Sequence, residues 1–271
     1  MIRDITLGQY YQAESLLHRI DPRTKLFATL IYIISLFIYK NPYTYILAAA
    51  FLILSIKLSK VPVKFIVRGL KPILILMLFT VCLNIFMVKG EVIARIWKLS
   101  ITKEGVENAI YMAVRLVLLV LESSILTLTT TPQRLTDGLE KGLGFLKKIK
   151  VPVHEISMMM SIALRFIPVL LEETDRIMKA QLARGADFES GNIIKKVKSL
   201  VPVVVPLFIA SFKRAGDLAM AMETRCYSGG EGRTSMKPLK YTKTDRLIYL
   251  VVFVYIAAII GIGILVTYLG K

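Results

Sequence analysis

Five apolar stretches of near-membrane length, set off by clusters of lysine and arginine, constrain this chain more than any other feature. They cover residues 26–39, 43–58, 70–88, 106–130 and 247–269. A helix crosses the hydrocarbon core with about 20 mostly apolar residues, or somewhat fewer when neighbours cover its ends. Irregular backbone facing lipid is excluded, because its polar groups find no water to bond. The expected fold class is therefore all-α, an integral membrane protein with about five transmembrane helices. The first two stretches are short, and the Asn41-Pro42 turn between them makes a helical hairpin.

The positive charge orients these spans. A net charge of +17 on 271 residues would suit a nucleic-acid binder only if the bases gathered on a soluble domain with recognition motifs. Here they flank apolar runs, so no nucleic-acid partner is expected. Arg3, Arg19, Arg23 and Lys25 precede the first span, and Lys57, Lys60, Lys64, Arg68 and Lys71 separate the second from the third. Both segments are expected in the cytoplasm, which puts the amino terminus on the cytoplasmic side of the cell membrane. Alternation leaves Lys40, and then Lys89, Arg95, Lys98 and Lys103, on the outer side. The expected organisation is an N-terminal transmembrane domain of four helices (1–130), a cytoplasmic domain (131–246) and a C-terminal transmembrane helix (247–271). The first residues lack a long apolar run, so no cleavable signal peptide is expected, and the first span serves as the insertion signal. Cys82 and Cys226 are far apart and read as free thiols.

The cytoplasmic domain is charged yet holds apolar runs, SMMMSIALRFIPVLL and SLVPVVVPLFIASF. Each passes directly into a polar helix-forming segment, Glu172-Glu173-Thr174-Asp175-Arg176 after the first and Lys213-Arg214-Ala215-Gly216-Asp217 after the second. Helices apolar at one end and charged at the other would start against the membrane and finish at the cytoplasmic surface. Pro168, Pro202 and Pro206 are expected to bend or begin them. A shorter helix, 132–148, has proline at its start, and Gly138, Gly142 and Gly144 favour close packing or a bend. About three amphipathic coupling helices are thus expected.

The two long helices end alike, in Ala180-Gln181-Leu182-Ala183-Arg184-Gly185 and Ala221-Met222-Glu223-Thr224-Arg225-Cys226. A cation at a helix carboxyl end is favoured by the macrodipole, and glycine leaves a helix in left-handed geometry, so capping alone accounts for such arginines. The functional alternative is that small neighbours leave the guanidinium projecting, free to make bidentate contacts in a groove of another protein. A Val-Pro-Val triplet precedes each helix at 151–153 and 201–203, and recurs at 61–63.

The segment from Ser15 through His18, Asp21-Pro22-Arg23 and Lys25 to Leu26, with Ala163-Leu164-Arg165-Phe166-Ile167-Pro168, Ala183-Arg184-Gly185 and Arg214-Ala215-Gly216-Asp217 through Tyr227, resembles the transmembrane T component of energy-coupling-factor transporters (the EcfT/CbiQ family). The cobalt-transport form is a close relative. The resemblance runs over nearly the whole chain in the family's order. It implies a coupling subunit of an ATP-driven importer for vitamins or other micronutrients. It also implies that two Ala-Arg-Gly motifs end the coupling helices, each docking on one of two ABC-type ATPases (A and A'). The helices would cradle a substrate-binding membrane S component. Carried across, the ATPase-docking residues are Ala183, Arg184 and Gly185, then Thr224, Arg225 and Cys226. The second motif keeps only the arginine, so its helix end is expected to shift towards Gly229-Gly230.

Other residues carry weaker alternatives. Arg115 and Glu122, seven apart in the fourth span, share a helical face and form a candidate intramembrane polar pair, structural or functional. Asn84 is expected to hydrogen-bond between helices. His18 and His154 lack partners at ligand spacing, so neither a metal site nor a cofactor of the chain's own is expected. Met158, Met159, Met160, Met220 and Met222 fit either core packing or an adaptable surface. Asp21-Pro22-Arg23 seeds a turn at the first helix. There is no phosphate loop, dinucleotide turn or nucleophile elbow. Catalysis by this chain is not expected, and ATP and magnesium would bind to partner ATPases. Two competing functions remain: a self-contained permease using Arg115 and Glu122, and a membrane enzyme acting on lipid, which lacks a visible catalytic cluster.

Overall fold

The computed structural model of the chain describes residues 10–88, 90–96, 99–188, 192–229 and 238–269; Arg3, Lys89, Lys98 and Gly230 lie outside the described residues. Two compact units emerge, one built from Gly8–Gly138 and Leu239–Lys271, the other from Leu139–Pro238.

In the first unit, α1 (Leu16–Arg19) is capped by Ser15, whose hydroxyl accepts from the His18 amide. The His18 ring bonds Ser15 Oγ at 2.6 Å and Tyr11 O at 2.9 Å, a structural role. Helix α2 (Pro22–Ile38) has Asp21 at its N-cap and proline in its first turn, the arrangement in which a missing N–H costs nothing. The Asp21 amide donates to Asp245 Oδ1 at 2.9 Å, and Asp245 Oδ2 accepts two bonds from Thr242. The turn element is therefore fastened to the start of α10 (Lys243–Leu269). Helix α3 (Pro42–Ser59) follows the Asn41-Pro42 turn, which completes the expected hairpin.

Helix α4 (Val63–Arg68) is short, and α5 (Leu74–Met87) spans 14 residues. A hairpin not anticipated from the apolar pattern, β1 (Val92–Ile96) against β2 (Leu99–Thr102), leads into α6 (Lys103–Thr129). Thr102 caps α6 through Gly105 N. Tyr32, Leu36, Tyr45, Leu52, Leu118, Ile125 and Tyr255 form the core between α2, α3, α6 and α10. The rings of Tyr32, Phe51 and Tyr255 cluster with centroids 4.6 to 6.0 Å apart. Outward positions are apolar too, such as Ile75, Leu78, Phe253 and Leu265, as lipid-facing surfaces must be.

Asn84 donates to Thr80 O, one turn back in its own helix, rather than across helices. Residues four apart share one helix face, which brings the Thr80 carbonyl within reach of the Asn84 side chain.

In the second unit the expected 132–148 helix breaks in two. Helix α7 (Pro132–Gly142), which begins in the first unit, ends and a 3-10 turn (Gly144–Ile149) follows. At Gly138 a Cβ would lie 2.9 Å from Pro22 Cβ, so only glycine fits; Gly142 and Gly144 face open space. Two 31-residue helices, α8 (Val153–Ala183) and α9 (Ile193–Glu223), contain Pro168, and Pro202 with Pro206, inside them.

Among the described residues, four helices, at Pro42–Ser59, Lys103–Thr129, Val153–Ala183 and Lys243–Tyr268, are long and apolar enough to cross a membrane. Helix α8 is thus apolar enough to span as well as charged at its end. Helices α2 and α5 have 17 and 14 residues and stay below that length.

Candidate functional site

Proline explains how the two long helices are tied. Pro206 has no N–H to give the carbonyl four residues earlier, so Pro202 O loses its helical donor. Gln181 Nε2, in the last turn of α8, donates to that carbonyl at 3.3 Å. A polar side chain from one helix thus repairs the ladder of the other. Further along, Arg214 Nη2 of α9 meets Glu173 Oε2 of α8 at 3.0 Å, a charge-assisted contact. At the start of α8, Glu140 of α7 accepts from Ser157 Oγ at 3.0 Å and bonds His154 Nδ1 at 2.9 Å. Burial pushes the Glu140 carboxyl up, but the His154 and Ser157 hydrogen bonds outweigh it and hold the group below the usual carboxylate range.

These bonds fix two rods whose ends share one geometry. At α8, the Gly185 amide donates to Leu182 O and the Ala186 amide to Gln181 O; at α9, Cys226 N donates to Glu223 O and Tyr227 N to Met222 O. Both are the reversed pairing of a Schellman-type stop, which needs one residue in the left-handed region. Gly185 takes that place with φ +87° and Cys226 with φ +56°. The second helix therefore ends at its arginine motif and does not run on towards Gly229, correcting the expectation drawn from the missing glycine. The two capping bonds repay a cysteine in left-handed geometry, a conformation costing a side-chain-bearing residue about 1–2 kcal/mol.

Arg184 and Arg225 follow the last helical turn in both cases. Both are exposed, as are Ala183, Gly185, Thr224 and Cys226. Neither guanidinium has a hydrogen-bond or ion-pair partner among the described residues. Their neighbours are small, so nothing local covers them. Met159, Met160 and Met220 are also exposed on α8 and α9, which removes core packing as their role.

The candidate intramembrane pair does not form. Arg115 Nε donates to Tyr45 Oη at 3.0 Å, and its guanidinium sits 4.8 Å over the Phe37 ring. Glu122 is buried, with Oε2 unpartnered among the described residues. Seven residues of helix separate the two by about 10 Å of rise, beyond the reach of a direct contact. The Gln181 and Glu173 contacts went unnoticed in the sequence. The Pro202-to-Pro206 spacing was the signal for the first, since it leaves an orphan carbonyl.

Comparison with known proteins decides the family. The family model described as "Cobalt transport protein" (CbiQ) matches residues 13–236. The "Energy-coupling factor transporter transmembrane protein EcfT" of Ruminiclostridium cellulolyticum is 54% identical over 96% of this chain and 97% of its own. The chain belongs to the EcfT/CbiQ family. The EcfT protein of Clostridium kluyveri is also 54% identical, over 90% of this chain and 92% of its own, and that of Lactococcus lactis subsp. cremoris is 46% identical over 91% and 93%. This EcfT/CbiQ-family chain is accordingly a multi-pass membrane protein and a transmembrane component of a transporter, and within the family its Arg184 and Arg225 ends are the features to weigh.

Proposed function

We propose that the chain is the coupling subunit of an ATP-driven importer, carrying the movement of two ABC-type ATPase subunits to a substrate-binding membrane S component for vitamins or other micronutrients. The single observation that carries this is the matched pair of helix ends. Two exposed arginines without side-chain partners among the described residues sit at like backbone stops, on rods braced to each other by Gln181 and by the Arg214–Glu173 pair. Each guanidinium enters a carboxylate- or carbonyl-lined groove on an ATPase, where bidentate bonds lock it. Closure of the ATPases moves the rods as rigid bodies in shear, and the exposed methionines of α8 and α9 give the S component a surface that repacks cheaply. The chain binds no cofactor of its own; ATP and magnesium reside on the ATPases, and hydrolysis happens there. The amino terminus lies on the cytoplasmic side of the cell membrane, with 131–246 facing the ATPases.

The test is mild-detergent co-purification of the complex from cells carrying Arg184→Ala with Arg225→Ala. The double variant is expected to reach the membrane in normal amount and to lose both ATPases. Full retention of ATPases and transport rejects the docking role.

A further inference from the structure

One charged group of the first unit has no use in coupling. Glu122 lies in the C-terminal half of α6, only 6% exposed, with Oε2 unpartnered among the described residues. The neighbouring cations are engaged elsewhere: Arg115 with Tyr45 and Phe37, and Lys25 with Thr129 O at 2.9 Å and Thr130 Oγ1 at 3.1 Å. A buried carboxylate without a counter-charge is among the most unfavourable placements available to a side chain.

The carboxyl borders a cavity of about 300 Å³ within this unit. An engineered apolar cavity of about 150 Å³ holds a benzene molecule, so this one has room for roughly twice that. Glu122, Ile125, Leu126 and Thr129 line it from α6 at helical spacing, and Phe51 of α3 and Val251 of α10 face them. Glu122 and Lys25 are its two ionisable lining groups, and Lys25 is already bonded to carbonyl and hydroxyl oxygens. What remains is an apolar pocket with one carboxyl group and one aromatic ring in its lining.

We propose that this chamber binds a small hydrophobic amine, whose ammonium donates to Glu122 while its hydrocarbon body lies against Ile125, Leu126 and Val251. The cation supplies both the missing counter-charge and the missing donor. The Phe51 ring, stacked on Tyr32 and tilted against Tyr255, lines the same pocket and adds aromatic surface beside the cation. A volume of about 300 Å³ suits a small amine. The site stands whether or not Arg184 and Arg225 dock on ATPases.

The experiment titrates the purified full-length chain in detergent with phenethylamine and with 2-phenylethanol, its neutral counterpart of similar size, following thermal stability and calorimetric binding. Wild type is expected to bind phenethylamine at least about tenfold more tightly than Glu122→Gln does, the factor that 1.4 kcal/mol represents. The alcohol is expected to bind both within about a factor of two, since apolar burial alone drives it. Leu126→Trp, which fills the chamber, is expected to lose both ligands. On wild type alone, with no variant needed, the amine should outcompete the alcohol. Equal amine affinity in Glu122→Gln and wild type, preference of wild type for the alcohol, or no amine binding to wild type each overturns the proposal.

Discussion

Helix α8 leaves its last turn through Gly185 and α9 leaves its own through Cys226, yet the two exits carry the same pair of backward hydrogen bonds and the same exposed arginine. The glycine is therefore not what makes the stop. The stop is made by amides returning to carbonyls of the last turn, and glycine merely makes it cheaper. The beginnings of the rods differ more. Helix α8 starts with Glu140 bonded to His154 and Ser157, whereas Asn192 at the start of α9 makes no side-chain capping bond. Neither helix has a side-chain cap of its own, but α8 is tied at its start to α7, while the two ends stay alike.

If the ends are equivalent docking points, Arg184→Ala and Arg225→Ala should each weaken ATPase binding by a similar amount. A guanidinium locked at the centre of an interface loses about 2–4 kcal/mol on truncation, or some thirtyfold to a thousandfold in affinity. Binding of purified ATPases to each single variant, measured side by side in detergent, checks this. A large loss at Arg184 with none at Arg225 breaks the equivalence and returns the second arginine to simple helix capping.

The next largest effect concerns the backbone. Gly185→Val places a β-branched residue at φ +87°, where such side chains are genuine outliers. No neighbour lies within 4 Å of the new Cβ, so the cost is purely conformational, about 2 kcal/mol. It should appear as a lowered thermal midpoint without loss of membrane insertion. A midpoint equal to wild type would mean that the α8 exit does not hold its left-handed turn.

The membrane character, the Asn41-Pro42 hairpin, the Asp21-Pro22 helix start and the positions of Arg184 and Arg225 at helix ends were legible in the sequence. Each of these follows from a local rule: apolar run length, proline at a first turn, a small residue after a basic one. Apart from Asn84, whose bond is local to its helix, the failures were non-local or geometric. Loss of glycine at Cys226 suggested a displaced stop, because residue preference speaks to cost and not to the hydrogen bonds that repay it. Arg115 and Glu122 share a face, but periodicity does not say that Tyr45 and Phe37, from two other helices, would claim the arginine. The hairpin at Val92–Ile96 and Leu99–Thr102 hid inside a connecting segment read only for its charge.

A smaller effect separates the beginnings of the rods. The Glu140 carboxyl is held below the usual range by His154 and Ser157 against the upward push of burial. Its contribution is therefore full above the unfolded value of about 4.3 and is lost as pH falls through the lower folded value. Between pH 6 and pH 3, wild type should lose about 0.5 kcal/mol more stability than Glu140→Gln, the modest scale of a partly exposed pair. Parallel thermal melts at the two pH values measure the difference; identical pH slopes would show that Glu140 does not anchor α8.

The smallest effect is the most direct probe of the two ends. Cys226→Gly removes a left-handed penalty of about 1–2 kcal/mol, but glycine also loosens the unfolded chain by about 0.4–1 kcal/mol. The net gain expected is about 0.5 kcal/mol, read as a slightly raised thermal midpoint with unchanged ATPase binding. The reciprocal Gly185→Cys should cost a similar or slightly larger amount, because it imposes on α8 the conformation that α9 already tolerates. Opposite signs for the two exchanges would establish that both helices use the same stop. A destabilising Cys226→Gly would instead mean that the exposed cysteine side chain makes a contact at the α9 end beyond its backbone.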